Sequence, residues 1–391
     1  MSLKMPSPDG NGLSPLPSPP PSPPLLSGGR PRLPASLAAF SPASLHGSST
    51  ATVPLNIAHR GFKARWPENS LAAFRAALDP TQGGAQAIET DVHLSRDGAV
   101  VLSHDPTLRR CFGRPERICD CDWAMLATLR TERLPGEPMA RLADVLELLA
   151  EPANETAWVL LDIKRDDPPQ ELLQRVAETV EAAPGDWAGR IVLGCWQAVA
   201  MRICRELMPS LPVAYIGFSL SCAEALLAHH PDVVQVFNME QHVLVGSRGA
   251  RFVRAAQDEL SPAGRHSVLA WTVNDPEWME WSIRRGLDGV ITDDPAAYDK
   301  VLRRRRSEAA QKKLLMVVDE NTPLQTAGNE TAVGPFPHPP ASSTLTGFFI
   351  RRWARLYAWT GFVKGVAIVF NSIMWVRNGS WQTHLQKTLG Q

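Results

Sequence analysis

The densest group of chemically capable residues lies between positions 59 and 105: His59-Arg60-Gly61, Pro67-Glu68-Asn69, Glu89-x-Asp91 and His104-Asp105. Glu89 and Asp91 are two apart in AIETDVHL, a run with strand character, so both side chains point to one face. Two carboxylates aimed together in an enclosed site repel each other strongly unless a cation lies between them. Hard oxygen donors of this kind suit Mg²⁺ or Ca²⁺. Asp162 and Lys164 repeat the two-residue spacing in WVLLDIK and would bring a third carboxylate and a cation to the same place. Each motif alone has an ordinary explanation. An E-x-D is usually a solvated strand face, HRG can cap an element, and PEN can start a helix with Asn69 or Ser70 as its cap. Their order and joint placement make them a constellation.

Strands and helices must hold these residues. Short apolar runs at 55–59, 87–94, 99–104, 158–164, 190–196, 213–218, 232–238, 267–273 and 289–292 predict strands. Amphipathic stretches at 70–78, 143–150 and 169–183 predict helices between them. Such alternation over about 250 residues is the cadence of a TIM-like (β/α)8 barrel. A doubly wound sheet is the competitor, and no G-x-G-x-x-G follows the first strand to support it. In a barrel, the chemically capable residues fall at strand C-termini, where the active-site mouth is built.

The segments IAHRGFKARWPENSLAAFRAAL and AIETDVHLSRDGAVVLSHDPTLRR closely resemble the opening of glycerophosphodiester phosphodiesterases. WVLLDIK, LAWTVND and GVITDDP are similar to the later signature segments of that family, and the likeness runs from about residue 55 to 300. FKARWPEN, LDIK, the GCW segment and the hydrophobic C-terminal stretch look most like the fungal phosphatidylglycerol phospholipase C branch. The resemblance implies a TIM-like barrel that hydrolyses a glycerol-bearing phosphodiester with a divalent cation, Mg²⁺ or Ca²⁺. Motif by motif, it implies His59 and His104 as catalytic residues and Glu89, Asp91 and Asp162 as metal ligands. It implies Arg60 and Lys164 at the phosphate, and Trp271 near the substrate with Asn274 closing the same motif. The third acid is commonly Glu in the family. Asp162 is one methylene shorter, and direct ligation and a bridging water both stay open there.

The chemistry suits these roles. Attack on a phosphodiester builds negative charge on its oxygens, which a cation, Arg60 and Lys164 would neutralise. Two histidines titrating near neutrality suit the proton transfers, with the assignment of acid and base open. His93 could face the mouth, whereas His229, His230, His242 and His266 read as surface or supporting residues. Asp293 and Asp294 read as acids bracing their neighbours rather than as ligands, and the six cysteines have no catalytic part.

The rest of the chain frames that core. In 391 residues, Lys plus Arg and Asp plus Glu balance at 40 each, which excludes a nucleic-acid binder. A mean hydropathy of −0.14 excludes a polytopic membrane protein. Scattered cysteines at 111, 119, 121, 195, 204 and 222 form no zinc array and read as reduced thiols. Residues 1–54 hold 13 of the 34 prolines and predict a disordered Pro/Ser-rich tail, able to dock an SH3-type partner. The barrel spans 55–305, a linker 306–345, a membrane-associated hydrophobic segment 346–378 and a C-terminal tail 379–391. The uncharged run 365–376 is short of the ~20 residues that cross a bilayer. An in-plane or hairpin insertion, with Lys364 reaching the boundary, therefore competes with a span, and an amphipathic helix packed on the barrel is the third reading. The expectation is an enzyme at a membrane surface with its active domain facing the cytosol, on endoplasmic reticulum, lipid droplet or mitochondrion. Its substrate would be a glycerophospholipid: a phospholipase C cleaving phosphatidylglycerol to diacylglycerol and glycerol phosphate. The alternatives are hydrolysis of soluble glycerophosphodiesters and, in another class, a non-catalytic membrane-tethered scaffold.

Overall fold

A computed structural model describes residues 30–38, 53–262, 264–318, 361–368, 371 and 380–389. Among the described residues nine strands form: β1 Leu55–His59, β2 Ala87–Leu94, β3 Val100–Leu102, β4 Trp158–Ile163, β5 Ile191–Cys195, β6 Val213–Gly217, β7 Val236–Glu240, β8 Ser267–Trp271 and β9 Gly289–Thr292. Eight of them run parallel in the order β1-β9-β8-β7-β6-β5-β4-β2, and a β1–β2 pairing closes the TIM-like barrel. The ninth, β3, lies antiparallel on the end of β2. The expected strand at 232–238 starts later, because Val233 donates its amide to His230 and belongs to a turn. Val234, between that turn and the strand, is nonetheless buried as a strand residue would be, and Val233 is partly buried.

Alternation along the strands divides the core in two. Inward-facing Ile57, Leu160, Val192, Val236, Leu269 and Ile291 fill the barrel. Outward-facing Ile88, Val159, Leu161 and Val268 pack under the helices. The same alternation continues to the C-terminal ends, where the inward residues turn polar. Register sets His59 opposite Glu89 and Asp91 opposite Asp162, so four candidate residues converge without any loop having to fold over them. The helix Leu71–Leu78 follows the PEN turn, and Ser70, not Asn69, caps it by accepting from the Ala73 amide.

Both ends of the chain depart from the expectation. The tail is not unstructured throughout: residues 35–38 form a helical turn, Ala35–Ala38, that closes the floor of the barrel. Leu37 is completely buried among the inward-facing residues, and Trp158 Nε1 donates to Ser36 Oγ at 3.1 Å. The remaining tail residues before 53 lie outside the described residues. The expected linker begins too early, since the last barrel helix runs Pro295–Val318 through all four consecutive arginines. There Arg303 pairs with Asp299, and Arg304 and Arg305 both bond Glu280.

No helix among the described residues is long and apolar enough to cross a membrane. Residues 361–368 form a helix whose Lys364 donates to the Val245 carbonyl at 3.2 Å, which ties it to the barrel. Asn371 Oδ1 accepts from Ser219 Oγ and from Trp381 Nε1, each at 2.7 Å. The supposed C-terminal tail holds a helix, Trp381–Leu389, packed on the helices Ala198–Leu207 and Leu220–His229 with Leu385 buried. Within these segments Ala367 and Leu385 are buried, whereas Phe362, Val366 and Ile368 are exposed. The rest of 346–378 lies outside the described residues.

Candidate active site

His59, Arg60, Glu89, His104, Asp162 and Lys164 line a single cavity of about 120 Å³ at the C-terminal end of the barrel, with Trp196, Asn238 and Trp271 completing its wall. A tight turn after β1 presents Arg60. Its φ of 56° is left-handed, a strained geometry for a non-glycine residue. The Arg60 amide donates to both the backbone carbonyl and the carboxylate of Glu89, which holds that turn against β2. Asn69 also takes a left-handed φ, 55°, and donates to Asp91 Oδ2 at 2.8 Å while accepting from Thr90. The PEN motif therefore both starts a helix and buttresses the acidic cluster.

Glu89, Asp91 and Asp162 are all buried and each offers an oxygen within 4.8 Å of the others. The shorter Asp162 still brings its carboxylate into the group. Lys164 Nζ sits between Asp91 Oδ1 (2.6 Å) and Asp162 Oδ2 (2.7 Å), and Arg60 Nε lies 3.1 Å from Asp91. Against the burial that would raise it, Lys164 and Arg60 hold Asp91 well below the usual carboxylate range. The same two acids keep Lys164 protonated despite its burial. Glu89 goes the other way: burial, then the charges of Asp91 and Asp162, push its carboxyl well above the ordinary value. Burial likewise raises Asp162. Three carboxylates thus face two fixed cations, one positive charge short of balance, and the Glu89 carboxyl is pushed up accordingly. A divalent cation fits this donor set, all oxygen and short of one counter-charge.

The two histidines approach from opposite sides. His59 Nδ1 lies 2.6 Å from Asp293 Oδ1, and its Nε2 faces the mouth, 3.9 Å from Glu89. Although burial opposes it, the bond to His59 holds the Asp293 carboxyl down to about 2, so Asp293 is an acceptor and the proton sits on Nδ1. Burial lowers His59 below the usual imidazole range, and burial and Lys164 lower His104. His104 Nδ1 bonds Asp105 at 2.8 Å in the same manner, and its side chain is 40% exposed.

Trp271 stands edge to face with Trp196, centroids 5.5 Å apart, and donates to the Asn238 carbonyl. Trp196 Nε1 donates to Asp162 Oδ1 at 2.7 Å. The sequence reading did not single out Trp196 or Asn238, although Asn238 lies on the inward-facing row of β7 and Trp196 directly follows β5. Asn274 bonds Asp293 from the β8 end. His93 does not line the cavity; it is buried against Asp167 at 2.6 Å. A neighbouring groove of about 490 Å³, walled by Lys63, Glu68, Arg110, Arg133, Asn274 and Asp293, opens beside the histidines.

The family model described as the glycerophosphoryl diester phosphodiesterase family matches residues 59–297. This chain belongs to that family. A glycerophosphodiester phosphodiesterase of Caldanaerobacter subterraneus is 26% identical over 262 residues, covering 64% of this chain and 98% of its own. The Homo sapiens glycerophosphodiester phosphodiesterase 1 is 34% identical over a shorter stretch, 28% of this chain and 33% of that protein. Among solved structures, a glycerophosphodiester phosphodiesterase from Parabacteroides distasonis superposes with a TM-score of 0.53 at 24% identity, covering 65% of this chain and 99% of its own. A phosphodiesterase from Oleispira antarctica, in complex with the product sn-glycerol-3-phosphate, gives 0.52 at 22% identity, covering 64% and 97%. Both structures share the barrel. As a member of the family, this glycerophosphodiester phosphodiesterase relative is a phosphoric diester hydrolase.

Proposed function

We propose that this enzyme hydrolyses soluble glycerophosphodiesters to glycerol 3-phosphate and an alcohol. The observation that carries this reading is a small cavity, lined by Arg60, Lys164 and both histidines, that is sized for a glycerol phosphate and lies in a chain similar along its whole barrel to glycerophosphodiester phosphodiesterases. The cavity suits a glycerol phosphate, and the groove beside it, with Lys63, Arg110 and Arg133 at its walls, leaves room for the alcohol. Arg60 and Lys164 receive the phosphate oxygens, and the edge-to-face tryptophans flank the carbon face of the glycerol. Glu89, Asp91 and Asp162 would hold Mg²⁺ or Ca²⁺, which when bound supplies positive charge for the oxygens as they become more negative.

His59, its basicity lowered by burial and its Nε2 turned towards the mouth, takes the proton from the attacking hydroxyl. His104, on the exposed side, gives a proton to the departing alcohol oxygen as the phosphorus–oxygen bond breaks. Glycerophosphocholine hydrolysis by the purified protein, lost with chelator and in His59→Ala, is the direct test. A diester with a p-nitrophenol leaving group needs no acid. His104→Ala should retain most of its rate on that diester and lose about 10²-fold or more on glycerophosphocholine. Equal losses on both substrates would sink the division of labour.

One observation favours the phosphatidylglycerol reading. The helix at 361–368 is tied to the loops after β6 and β7, beside the mouth, and exposes Phe362, Val366 and Ile368. In that reading these side chains lie in a membrane interface and bring the mouth to a lipid headgroup. Release of diacylglycerol from phosphatidylglycerol vesicles at a rate matching the soluble diester would favour it. No release would leave the soluble substrate alone.

A further inference from the structure

We propose that Glu68 and Arg110 are positioning residues that lock the phosphate-binding arm of the site to its acid–base arm. A single chain of charge-assisted bonds runs Arg60–Glu68–Arg110–Asp105–His104. Glu68 Oε1 accepts from Arg60 Nη1 at 2.9 Å and from Arg110 Nη2 at 2.8 Å, while Oε2 accepts from Arg110 Nη1 at 2.8 Å. Arg110 Nε then donates to Asp105 Oδ2 at 2.7 Å, leaving Asp105 Oδ1 for His104 Nδ1. The bonds join four pieces of backbone: the turn after β1, the PEN turn, the end of β3 and the short helix Arg109–Phe112.

Competition for Arg60 gives the chain its purpose. Arg60 stands beside Asp91 and Glu89 as well as Glu68. With no outer partner, its guanidinium would settle on the acidic cluster and spend its charge there. Glu68, only 9% exposed, draws one edge of the fork away from that cluster and towards the rim where a phosphate enters. Asp105 does the complementary task for His104. As an acceptor on Nδ1 it turns Nε2 to the substrate, but Asp105 itself is 28% exposed and would swing without Arg110 on its other oxygen. Among the described residues, Arg110 is the side chain that bonds both acids. Its fork bonds Glu68 through two nitrogens and Asp105 through the third, a geometry that lysine cannot reproduce in full.

The inference rests on the reading that Arg60 and His104 act on the diester, so its test carries one arm independent of turnover. In full-length protein, Glu68→Gln should raise KM for glycerophosphocholine about tenfold with little change in kcat, because Arg60 is displaced. Arg110→Gln should lower kcat about tenfold at nearly constant KM, and Arg110→Lys should restore part of it. Arg114→Gln, which removes an exposed ion pair with Glu116 on the same loop, should leave both constants unchanged. The independent arm is ¹⁵N NMR of histidine-labelled protein: the His104 Nδ1–H tautomer should persist in wild type and Arg114→Gln, and mix with the other tautomer in Arg110→Gln. Wild-type kcat and a wild-type His104 spectrum in folded Arg110→Gln would overturn the proposal. If the wild type cleaves no diester yet the tautomer follows Arg110, the substrate reading fails and the positioning chain stands.

Discussion

Asp293 governs how His59 meets its substrate, because a carboxylate 2.6 Å from Nδ1 fixes both the ring orientation and the tautomer. Lys63 and Asn274 hold that carboxylate from two further sides. Asp293→Asn presents an amide that can turn its donor to Nδ1, so the proton moves to Nε2 and the base is lost. The expected result is a 10–100-fold fall in kcat with KM changed far less, measured by steady-state kinetics on glycerophosphocholine. Glu89 makes the opposite case, a residue that serves the site at the expense of the fold. Its carboxyl is pushed up by burial and by two neighbouring acids. Glu89→Gln removes that like-charge conflict, so the cation-free protein should melt higher, by about 2–4 °C for each kcal/mol gained. The same variant should lose activity and the rise in melting temperature that added Mg²⁺ gives the wild type. A lower melting temperature in Glu89→Gln would mean that the carboxyl is a net stabilising partner of the Arg60 amide.

Strands carried their chemistry openly, because alternation fixes which residues face inward and register fixes which of them meet. Glu89, Asp91 and Asp162 could be paired on paper for that reason, and the β1–β2 and β2–β4 ladders bring them together. Elements that depend on distant packing left weaker marks. Ala35–Ala38 is one turn long, too short for any helical period, and lies in a proline-rich stretch whose composition says tail. Only the barrel floor, with Trp158 offering an N–H and an apolar hole for Leu37, makes it fold. Likewise Trp381–Leu389 reads as a short polar run until the helices Ala198–Leu207 and Leu220–His229 supply its other face. Asp293 and Glu68 were visible as residue types, but their partners lie 234 and 42 positions away, beyond what spacing reveals. Leu37→Ala tests the floor. A fully buried leucine in a closed cluster should cost about 2–5 kcal/mol of unfolding free energy by urea denaturation, with the mouth and its kinetics left intact. A change below about 0.5 kcal/mol would show that the barrel closes without the turn.

Taken across the molecule, proton balance links the site to the stability of the whole barrel. His59, His104, His230, His266 and His384 all sit below the usual imidazole range, each chiefly through burial. A histidine whose folded pKa is depressed binds fewer protons folded than unfolded just below the ordinary value of 6.5. Stability therefore rises with pH through that window and is lost as pH falls. Glu89, Asp162 and Asp288, raised by burial, act in the opposite sense. The net slope mixes both, so a single histidine must be read by difference. His266 suits this: it is completely buried, far from the mouth, and its Nε2 donates to the Pro231 carbonyl at 2.9 Å. Glutamine can make the same donation and has no proton to gain. The unfolding free energy of wild type relative to His266→Gln, measured in urea, should therefore decline between about pH 7.5 and 5.5. A constant difference across that range would show that His266 takes its proton equally well inside the fold, and that burial does not control its charge.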